Sequence, residues 1–263
     1  MKSLQIQPIA AFDDNYFWVI HNQSHAIIVD PGAAEPVQSY LRQHQLTLAG
    51  ILLTHHHADH TGGVAALLAE LPVPVYGSQE DKQSQRIPTI SHGCQQGSSI
   101  FISQLNLTLQ VIEVPGHTST HIAYYCPQLV SVFCGDTLFA GGCGRLFEGT
   151  PAQMHASLAK LAALPPETNV YCAHEYTLSN LRFALAVEPE NQALVKRMEQ
   201  ATITRQQNQA TVPSCIALEL ATNPFLRTNS THIIRNLQHL ERVGAHPDEV
   251  AVFAAIRLWK DKF

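Results

Sequence analysis

A cluster of potential metal ligands, His-His-His-Ala-Asp-His, begins at residue 55 of the sequence. It follows the apolar run Gly-Ile-Leu-Leu-Thr, which is typical of a buried strand of a parallel sheet, and precedes an apolar stretch typical of a helix. Side chains at positions i and i+2 of an extended segment point the same way, so His55 and His57 can bind one cation together. Asp59 and His60 lie in the turn that follows and can reach a second cation. Imidazole and carboxylate ligands suit zinc, iron or manganese better than calcium or magnesium.

A solvated, histidine-rich loop is the simpler alternative, and for a single histidine it would be preferred. The pattern H-x-H-x-D-H directly behind a buried strand makes a metal site the better interpretation. Four ligands from one turn cannot complete the coordination of two cations. Further histidine or aspartate ligands must therefore come from elsewhere in the chain.

Three further candidate ligands stand at the ends of other predicted strands. His117, Asp136 and His174 each follow directly on an apolar, strand-like run, as His55 does. In α/β sheets, binding sites form outside the carboxyl ends of the strands, so we expect these side chains to meet in one place. A polar residue at any one strand end would be ordinary. Histidine or aspartate at four strand ends, together with the histidine cluster, predicts the site.

The elements that must position these residues mix strands and helices up to residue 174. The predicted strands are Leu4–Ile9, Phe17–Ile20, Ala26–Asp30, Gly50–Thr54, Val73–Tyr76, Leu105–Val114, Ile122–Cys126, Leu129–Phe133 and Asn169–Cys172. Pro74 argues against a central place for the fifth of these strands, and the polar segment 79–99 is expected to be a loop with a short helix. Thr150 and Gln153 form a capping-box pattern at the start of a helix.

After residue 174 the sequence predicts helices and no strand. The predicted helices are Thr177–Val187, Gln192–Gln209, Pro213–Ala221 and a last one that begins near Pro247. We therefore predict two domains, residues 1–174 with the metal site and an α-helical domain over residues 175–263.

Composition excludes several classes of function. The net charge of −5 gives no sign of a nucleic-acid partner, and no run of eighteen apolar residues is present that could span a membrane. The 263 residues, 45% of them hydrophobic, are enough for a real core. The six cysteines show no CxxC spacing, so free thiols in a reducing cytoplasm are expected.

Two further residues carry alternative interpretations. Asp30, which precedes Pro31 and Gly32, is interpreted as a turn former; the alternative is that it orients a ligand histidine. Cys143 lies in a glycine-rich loop that looks exposed, but the sequence places no base beside it, so we do not expect a nucleophile there.

Six motifs resemble those of the metallo-β-lactamase superfamily and, more narrowly, of the glyoxalase II family, the hydroxyacylglutathione hydrolases. The resemblance covers nearly the whole chain, and the motifs are Thr54–His60, Pro115–Thr118, Gly135–Thr137, Gly141–Arg145, His174–Thr177 and Thr222–Arg227. The first motif is shared by many hydrolases, whereas the glycine-rich loop and the helical tail are narrower. The resemblance implies an α/β fold, a metallo-β-lactamase-like αβ/βα sandwich of two β-sheets flanked by helices, with a C-terminal all-helical, substrate-binding domain.

The resemblance also implies a role for each site residue. The first metal would take His55, His57 and His117, the second would take Asp59, His60 and His174, and Asp136 would bridge both. Asp59 and Asp136 are the residues to which a catalytic role is assigned. Substrate binding is expected of Arg145, Phe147, Tyr176, Arg257 and Lys260.

The sequence departs from the family pattern at two places. Phe147 stands where the family often has tyrosine, so any hydroxyl contact there is lost. Ser119 and Thr120 stand where many members have x-Gly, and a local backbone change is expected. Without the resemblance, Arg257 and Lys260 would be interpreted as solvated charges on a surface helix.

The implied activity is hydrolysis of S-(2-hydroxyacyl)glutathione, such as S-D-lactoylglutathione, to glutathione and a 2-hydroxy acid, the second step of methylglyoxal detoxification. A hydroxide between two divalent cations would attack the thioester. Zinc is the expected metal, iron and manganese also fit, and a cytoplasmic monomer is the expected state. The alternatives are a lactonase or β-lactamase, a mononuclear iron persulfide dioxygenase, and a non-catalytic metal-binding module.

Overall fold

The computed structural model describes residues 3–263, and these divide into two compact units. Unit 1 contains the chain up to Glu113 together with Thr120–Gly135, and unit 2 contains Val114–Ser119 together with Asp136–Phe263. Met1 and Lys2, with which the predicted first domain begins, lie outside the described residues. The predicted boundary after residue 174 divides the chain differently and stays a prediction.

Unit 1 contains a six-stranded sheet whose strands lie side by side in chain order. Its antiparallel part consists of β1 (Gln5–Ala11), β2 (Asn15–His21) and β3 (His25–Val29). Its parallel part continues from β3 through β4 (Thr47–Leu52), β5 (Val75–Ser78) and β6 (His92–Cys94). The expectation that Pro74 keeps its strand from a central place is wrong. Pro74 precedes β5, and its carbonyl still accepts a hydrogen bond from the Ile51 amide at 3.0 Å.

Helices connect the parallel strands of this sheet, as parallel pairing requires. They are α1 (Ala34–His44), α2 (Ala58–Thr61), α3 (Val64–Glu70) and α4 (Gln79–Gln83). Val37 and Leu41 of α1 and Val64 and Leu67 of α3 are buried in one apolar cluster with residues of β1 to β5. This packing fixes the end of β4, from which the histidine cluster follows.

The remaining strands of unit 1 form an antiparallel meander. They are β7 (Ser99–Ile102), β8 (Leu107–Glu113), β9 (Ile122–Cys126) and β10 (Ser131–Gly135). The buried hydroxyl of Tyr124 in β9 donates a hydrogen bond to the carbonyl of Leu53 at 2.8 Å, which ties the meander to the first sheet. Sequence analysis missed β6 and β7, which are short.

Unit 2 is mainly helical. Its elements are the hairpin β11 (Leu138–Phe139) and β12 (Gly142–Cys143), then α5 (Pro151–Ala162), β13 (Asn169–Cys172), α6 (Thr177–Val187), α7 (Gln192–Gln206), β14 (Ser214–Cys215), α8 (Ile216–Thr222), α9 (Thr231–His239) and α10 (Glu249–Lys260). The prediction of no strand after residue 174 is wrong at one point, because β14 pairs antiparallel with β13. The predicted capping box is confirmed: Thr150 Oγ1 accepts from the Gln153 amide, and Gln153 Oε1 accepts from the Thr150 amide.

The glycine-rich hairpin of unit 2 is held by side chains from the C-terminal part of the chain. The Gly141 amide donates to Glu219 Oε2 at 2.9 Å, and Asn223 Nδ2 donates to the Gly142 carbonyl at 2.9 Å. Arg257 Nη1 donates to the Cys143 carbonyl at 3.0 Å. These contacts are buried, so they set the course of the backbone that leads into Arg145.

Two expectations from composition can be compared with the structure. No helix among residues 3–263 is long and apolar enough to cross a membrane. All six cysteines are free thiols, as expected, and five of them are buried.

Candidate metal centre

The ligand cluster of unit 1 occupies the turn between β4 and α3. His55 Nε2 and His57 Nδ1 lie 3.1 Å apart, as expected for alternate residues of an extended segment. The helical turn α2 then carries Asp59 and His60, whose Oδ2 and Nε2 atoms lie 3.4 Å apart. The segment therefore brings its candidate ligand atoms close together, and the rings of His55 and His60 also approach each other, with centroids 4.0 Å apart.

Asp30 orients two of these histidines, and its interpretation as a simple turn former is wrong. It is 3% exposed, and its backbone is left-handed with φ 53°. Its carboxylate accepts hydrogen bonds from the amide and the hydroxyl of Thr54, both at 2.7 Å, and lies 3.0 Å from His60 Nδ1. Because a carboxylate can only accept, His60 carries its proton on Nδ1, and Nε2 keeps the lone pair that a metal ion would need.

The same logic extends to His55. Its Nδ1 lies 3.1 Å from Thr54 Oγ1, whose own hydrogen is donated to Asp30. Thr54 Oγ1 must therefore accept from His55 Nδ1, which leaves the lone pair of His55 on Nε2. A buried aspartate and one threonine thus fix the tautomers of two histidines.

Unit 2 contains the other three predicted ligands, and Asp136 lies between the two histidines. His117 Nε2 is 3.5 Å from Asp136 Oδ2, and His174 Nε2 is 3.4 Å from Asp136 Oδ1. His117 Nδ1 donates to the Arg145 carbonyl at 2.8 Å, so Nε2 is again the atom with a lone pair. A carboxylate with one imidazole nitrogen near each oxygen suits a bridging ligand. The donor types of both units, imidazole and carboxylate, fit a divalent transition metal.

Glycines next to the ligands are required by close backbone approach. A Cβ on Gly144 would lie 1.9 Å from the Asp136 carbonyl oxygen and 3.2 Å from His117 Nδ1. A Cβ on Gly32 would lie 1.9 Å from the Asp59 carbonyl oxygen. At either position a larger residue would force the backbone of a candidate ligand or of the glycine itself to shift.

Sequence analysis missed two residues that contact the ligands of unit 1. Asn15 Nδ2 donates to Asp59 Oδ2 at 3.1 Å. The ring of His121 stacks on that of His55, with centroids 4.5 Å apart and an interplanar angle of 16°. In each case the contact partner is distant in the sequence, so no local pattern could indicate the contact.

Ser119 and Thr120, which depart from the family pattern, have polar partners of their own. The amide and hydroxyl of Ser119 both donate to Glu148 Oε2 at 2.8 Å. Thr120 Oγ1 donates to the fully buried carboxylate of Asp81, 2.9 Å from each oxygen. Burial raises the pKa of Asp81, and the Thr120 hydrogen bond opposes that rise.

The five predicted substrate-binding residues all lie in unit 2 but differ in exposure. Arg145 and Phe147 are exposed, and the Phe147 ring meets the His117 ring edge-on at 5.3 Å. The Tyr176 ring stacks on His174, with centroids 4.7 Å apart and an interplanar angle of 6°.

The two cations of the tail are not ordinary solvated charges. Arg257 is 7% exposed, so that interpretation is wrong for it. Lys260 is half-buried, its Nζ lies 5.1 Å above the Phe183 ring, and it donates to the Ser179 carbonyl at 3.3 Å. Burial, followed by the nearby charge of Arg257, lowers the pKa of Lys260 to about 8.

Cys143 lies in β12 and is buried, so the expectation of an exposed loop is wrong at this residue. Burial raises the pKa of its thiol to about 11, although the Arg257 charge opposes the rise. A buried thiol with a high pKa is a poor nucleophile, which agrees with the expectation that Cys143 is not one.

Comparison with known proteins places the chain in a family. A family model described as the C-terminus of hydroxyacylglutathione hydrolase matches residues 175–263, and one described as the metallo-β-lactamase superfamily matches residues 11–86 and 99–174. The hydroxyacylglutathione hydrolase of Albidiferax ferrireducens is 51% identical over 263 residues, which make up 99% of this chain and 100% of that protein.

Solved structures confirm the predicted fold class of two β-sheets flanked by helices. The BLEG-1 B3 metallo-β-lactamase is 26% identical with a TM-score of 0.63, and the match covers 86% of this chain and 100% of that one. TTHA1623 in a di-iron-bound form is 27% identical with a TM-score of 0.60, and the match covers 84% of this chain and 100% of that one. The chain therefore belongs to the hydroxyacylglutathione hydrolases, the glyoxalase II family of the metallo-β-lactamase superfamily.

Proposed function

We propose that the protein hydrolyses the thioester of S-(2-hydroxyacyl)glutathiones, with S-D-lactoylglutathione as the main substrate. The observation that carries this proposal is the 51% identity, over the full length of both chains, to a hydroxyacylglutathione hydrolase. The products are glutathione and a 2-hydroxy acid, D-lactate for the main substrate. The reaction would be the second step of methylglyoxal detoxification, carried out by a monomer in the cytoplasm.

The seven predicted ligands are proposed to hold two divalent metal ions, zinc in the first place and iron or manganese as alternatives. His55, His57 and His117 would bind one ion, Asp59, His60 and His174 the other, and Asp136 both. Two features support this assignment: the paired ligand atoms within each unit, and the di-iron-bound form of the related TTHA1623. When bound, the ions would lower the pKa of a water molecule towards about 7, which supplies hydroxide at neutral pH.

The surrounding residues hold the ligand atoms in the required protonation state. Asp30 keeps the proton of His60 on Nδ1, Thr54 does the same for His55, and the Arg145 carbonyl does so for His117. Asp59 and Asp136 carry the proposed catalytic roles as carboxylates of the centre. Thiolate is a good leaving group that needs little protonation, so the reaction requires no Ser-His-Asp triad.

Substrate binding is assigned to Arg145, Phe147, Tyr176, Arg257 and Lys260. Glutathione carries two carboxylates, whereas the chain has a net charge of −5. Local cations are therefore needed to attract this substrate. Arg145, Arg257 and Lys260 supply them, and the exposed ring of Phe147 offers an apolar surface beside His117.

The deciding experiment measures hydrolysis of S-D-lactoylglutathione together with the metal content of the same preparation. Turnover with about two metal ions per chain supports the proposal, and its loss in an Asp136→Asn variant connects turnover to the centre. His232→Ala is the matched control, because His232 is an exposed histidine of α9. Absence of hydrolysis by the metal-loaded protein would refute the proposal. One iron per chain with oxygen uptake would indicate a dioxygenase instead.

A further inference from the structure

The C-terminal end of α10 contains an acidic residue that neither the motifs nor the proposed function use. Asp261 follows the last residue of α10 as its C-cap. Its Oδ1 lies 3.1 Å from Arg257 Nε and 2.9 Å from Arg257 Nη2. The same oxygen lies 3.5 Å from Arg145 Nε. Two of the three cations assigned to the substrate therefore already share one carboxylate of the protein.

The contact with Arg257 occupies the donors that would bind a substrate carboxylate. The Nε and Nη2 atoms of an arginine form the fork that grips carboxylates side by side. In Arg257 both point to Asp261, and Nη1 donates to the Cys143 carbonyl at 3.0 Å. The Arg257 side chain is only 8% exposed, whereas that of Asp261 is 31% exposed. Asp261 is thus the more accessible member of the pair.

Asp261 also stands at an electrostatically unfavourable position. The C-terminal end of a helix carries a partial negative charge, which disfavours a carboxylate there. The two arginines offset this repulsion. An incoming carboxylate would weaken the contacts of Asp261 with both arginines. Lys262 and Phe263, which follow Asp261, are exposed. Solvent is therefore available to the Asp261 carboxylate if it leaves the arginines.

We propose that Asp261 is an internal counter-ion that occupies the substrate-carboxylate position on Arg257 and Arg145, and that a carboxylate of the glutathione thioester binds by displacing it. This proposal rests on the proposed function. It makes Asp261 a residue that limits affinity for the substrate and has no part in the chemical step. In the free protein, Asp261 balances the charge of Arg257. The donors of Arg257 become available only when another carboxylate takes the place of Asp261.

The test compares an Asp261→Asn variant with the wild-type protein in the hydrolysis of S-D-lactoylglutathione. Asparagine removes the competing charge, so KM should fall roughly two- to fivefold, the range of an ion pair that is partly exposed. The turnover number kcat should stay unchanged, because the effect is on binding alone. Glu199→Gln is the matched control. It removes the same charge from an exposed position of α7, and we expect its KM to equal that of the wild type.

Substrate analogues test whether the effect passes through a carboxylate. In one analogue the glycine carboxylate of the thioester is amidated, and in the other the γ-glutamyl carboxylate. The fall in KM caused by Asp261→Asn should vanish for the analogue that lacks the carboxylate bound by the arginines. An unchanged or raised KM in Asp261→Asn, or a fall in KM that persists with both analogues, would overturn the proposal. Asp261→Ser serves as a second variant if the first folds poorly.

Failure of this proposal can be told apart from failure of the proposed function. Hydrolysis by the wild type with no change of KM in the variant would reject only the role of Asp261. If the wild type does not hydrolyse the thioester, calorimetric binding of glutathione to the wild type and to Asp261→Asn still tests the competition directly. Tighter binding by the variant would support it, and equal or weaker binding would overturn it.

Discussion

Replacing Asp30 by asparagine should weaken metal binding by changing the protonation of a ligand histidine. Asparagine tolerates the left-handed backbone at this position, where φ is 53°, so the turn itself should survive. The amide offers one acceptor oxygen where the carboxylate offers two. It cannot satisfy the Thr54 amide, the Thr54 hydroxyl and His60 Nδ1, which all meet the carboxylate at 2.7 to 3.0 Å.

The size of the effect follows from these contacts. At least one hydrogen bond to a buried charged group is lost, which costs about 1.5–3 kcal/mol of unfolding free energy. If the amide NH₂ faces His60, the ring must accept at Nδ1 and carry its proton on Nε2, the proposed metal-binding atom. Loss of such an orienting partner typically weakens metal affinity about 10- to 100-fold.

Two measurements check this prediction. Competition with a chromophoric chelator gives the metal affinity, and urea denaturation of the metal-free protein gives the free energy of unfolding. Asp13→Asn is the matched control, because Asp13 is exposed in a turn of unit 1. A variant at Asp30 that binds metal as tightly as the wild type would refute the tautomer argument, even if its stability fell.

Four further predictions concern unit 2. Gly144→Ala should lower both the metal content and kcat, because the new Cβ would lie 1.9 Å from the Asp136 carbonyl oxygen. If Asp136 is displaced, kcat should fall at least tenfold. Gly244→Ala, where a Cβ meets nothing within 4 Å, should change neither the metal content nor kcat. The value of kcat/KM should decline as pH rises through about 8, because Lys260 loses its charge there, and Lys260→Arg should remove that decline. Lys260→Ala should raise KM roughly fivefold with kcat little changed, and equal constants would contradict its role. Arg197→Leu should lower the free energy of unfolding, measured with urea, by about 3–5 kcal/mol, because it removes the cation that pairs with the fully buried carboxylate of Glu219. Arg235→Leu, at an exposed site, should stay within about 0.5 kcal/mol of the wild type.

The features that sequence analysis predicted correctly depend on local patterns. The alternation of His55 and His57 and the capping box at Thr150 are set by residues a few positions apart. The strand β13 and the helix α6 were predicted with the bounds that the structure has, because their apolar residues are regularly spaced.

The features that were missed or wrong depend on distant partners. Asp30 has the sequence of a turn, and its role becomes visible only through Thr54 and His60, 24 and 30 residues away. Arg257 is buried by contacts that include Cys143, 114 residues away. The helix α9 was missed, although its buried residues Ile233 and Leu237 stand four positions apart, as on one face of a helix.

The anchoring of the glycine-rich hairpin has a consequence for how the chain can be shortened. A fragment that ends at residue 174 would lack Glu219, Asn223 and Arg257, the partners of the Gly141 amide and of the carbonyls of Gly142 and Cys143. Each buried backbone group left without a partner costs about 1–3 kcal/mol, so truncation would release the loop that carries Arg145. The helical tail therefore cannot be removed without loosening the hairpin, and exchange of tails between relatives should succeed only when the hairpin is exchanged as well.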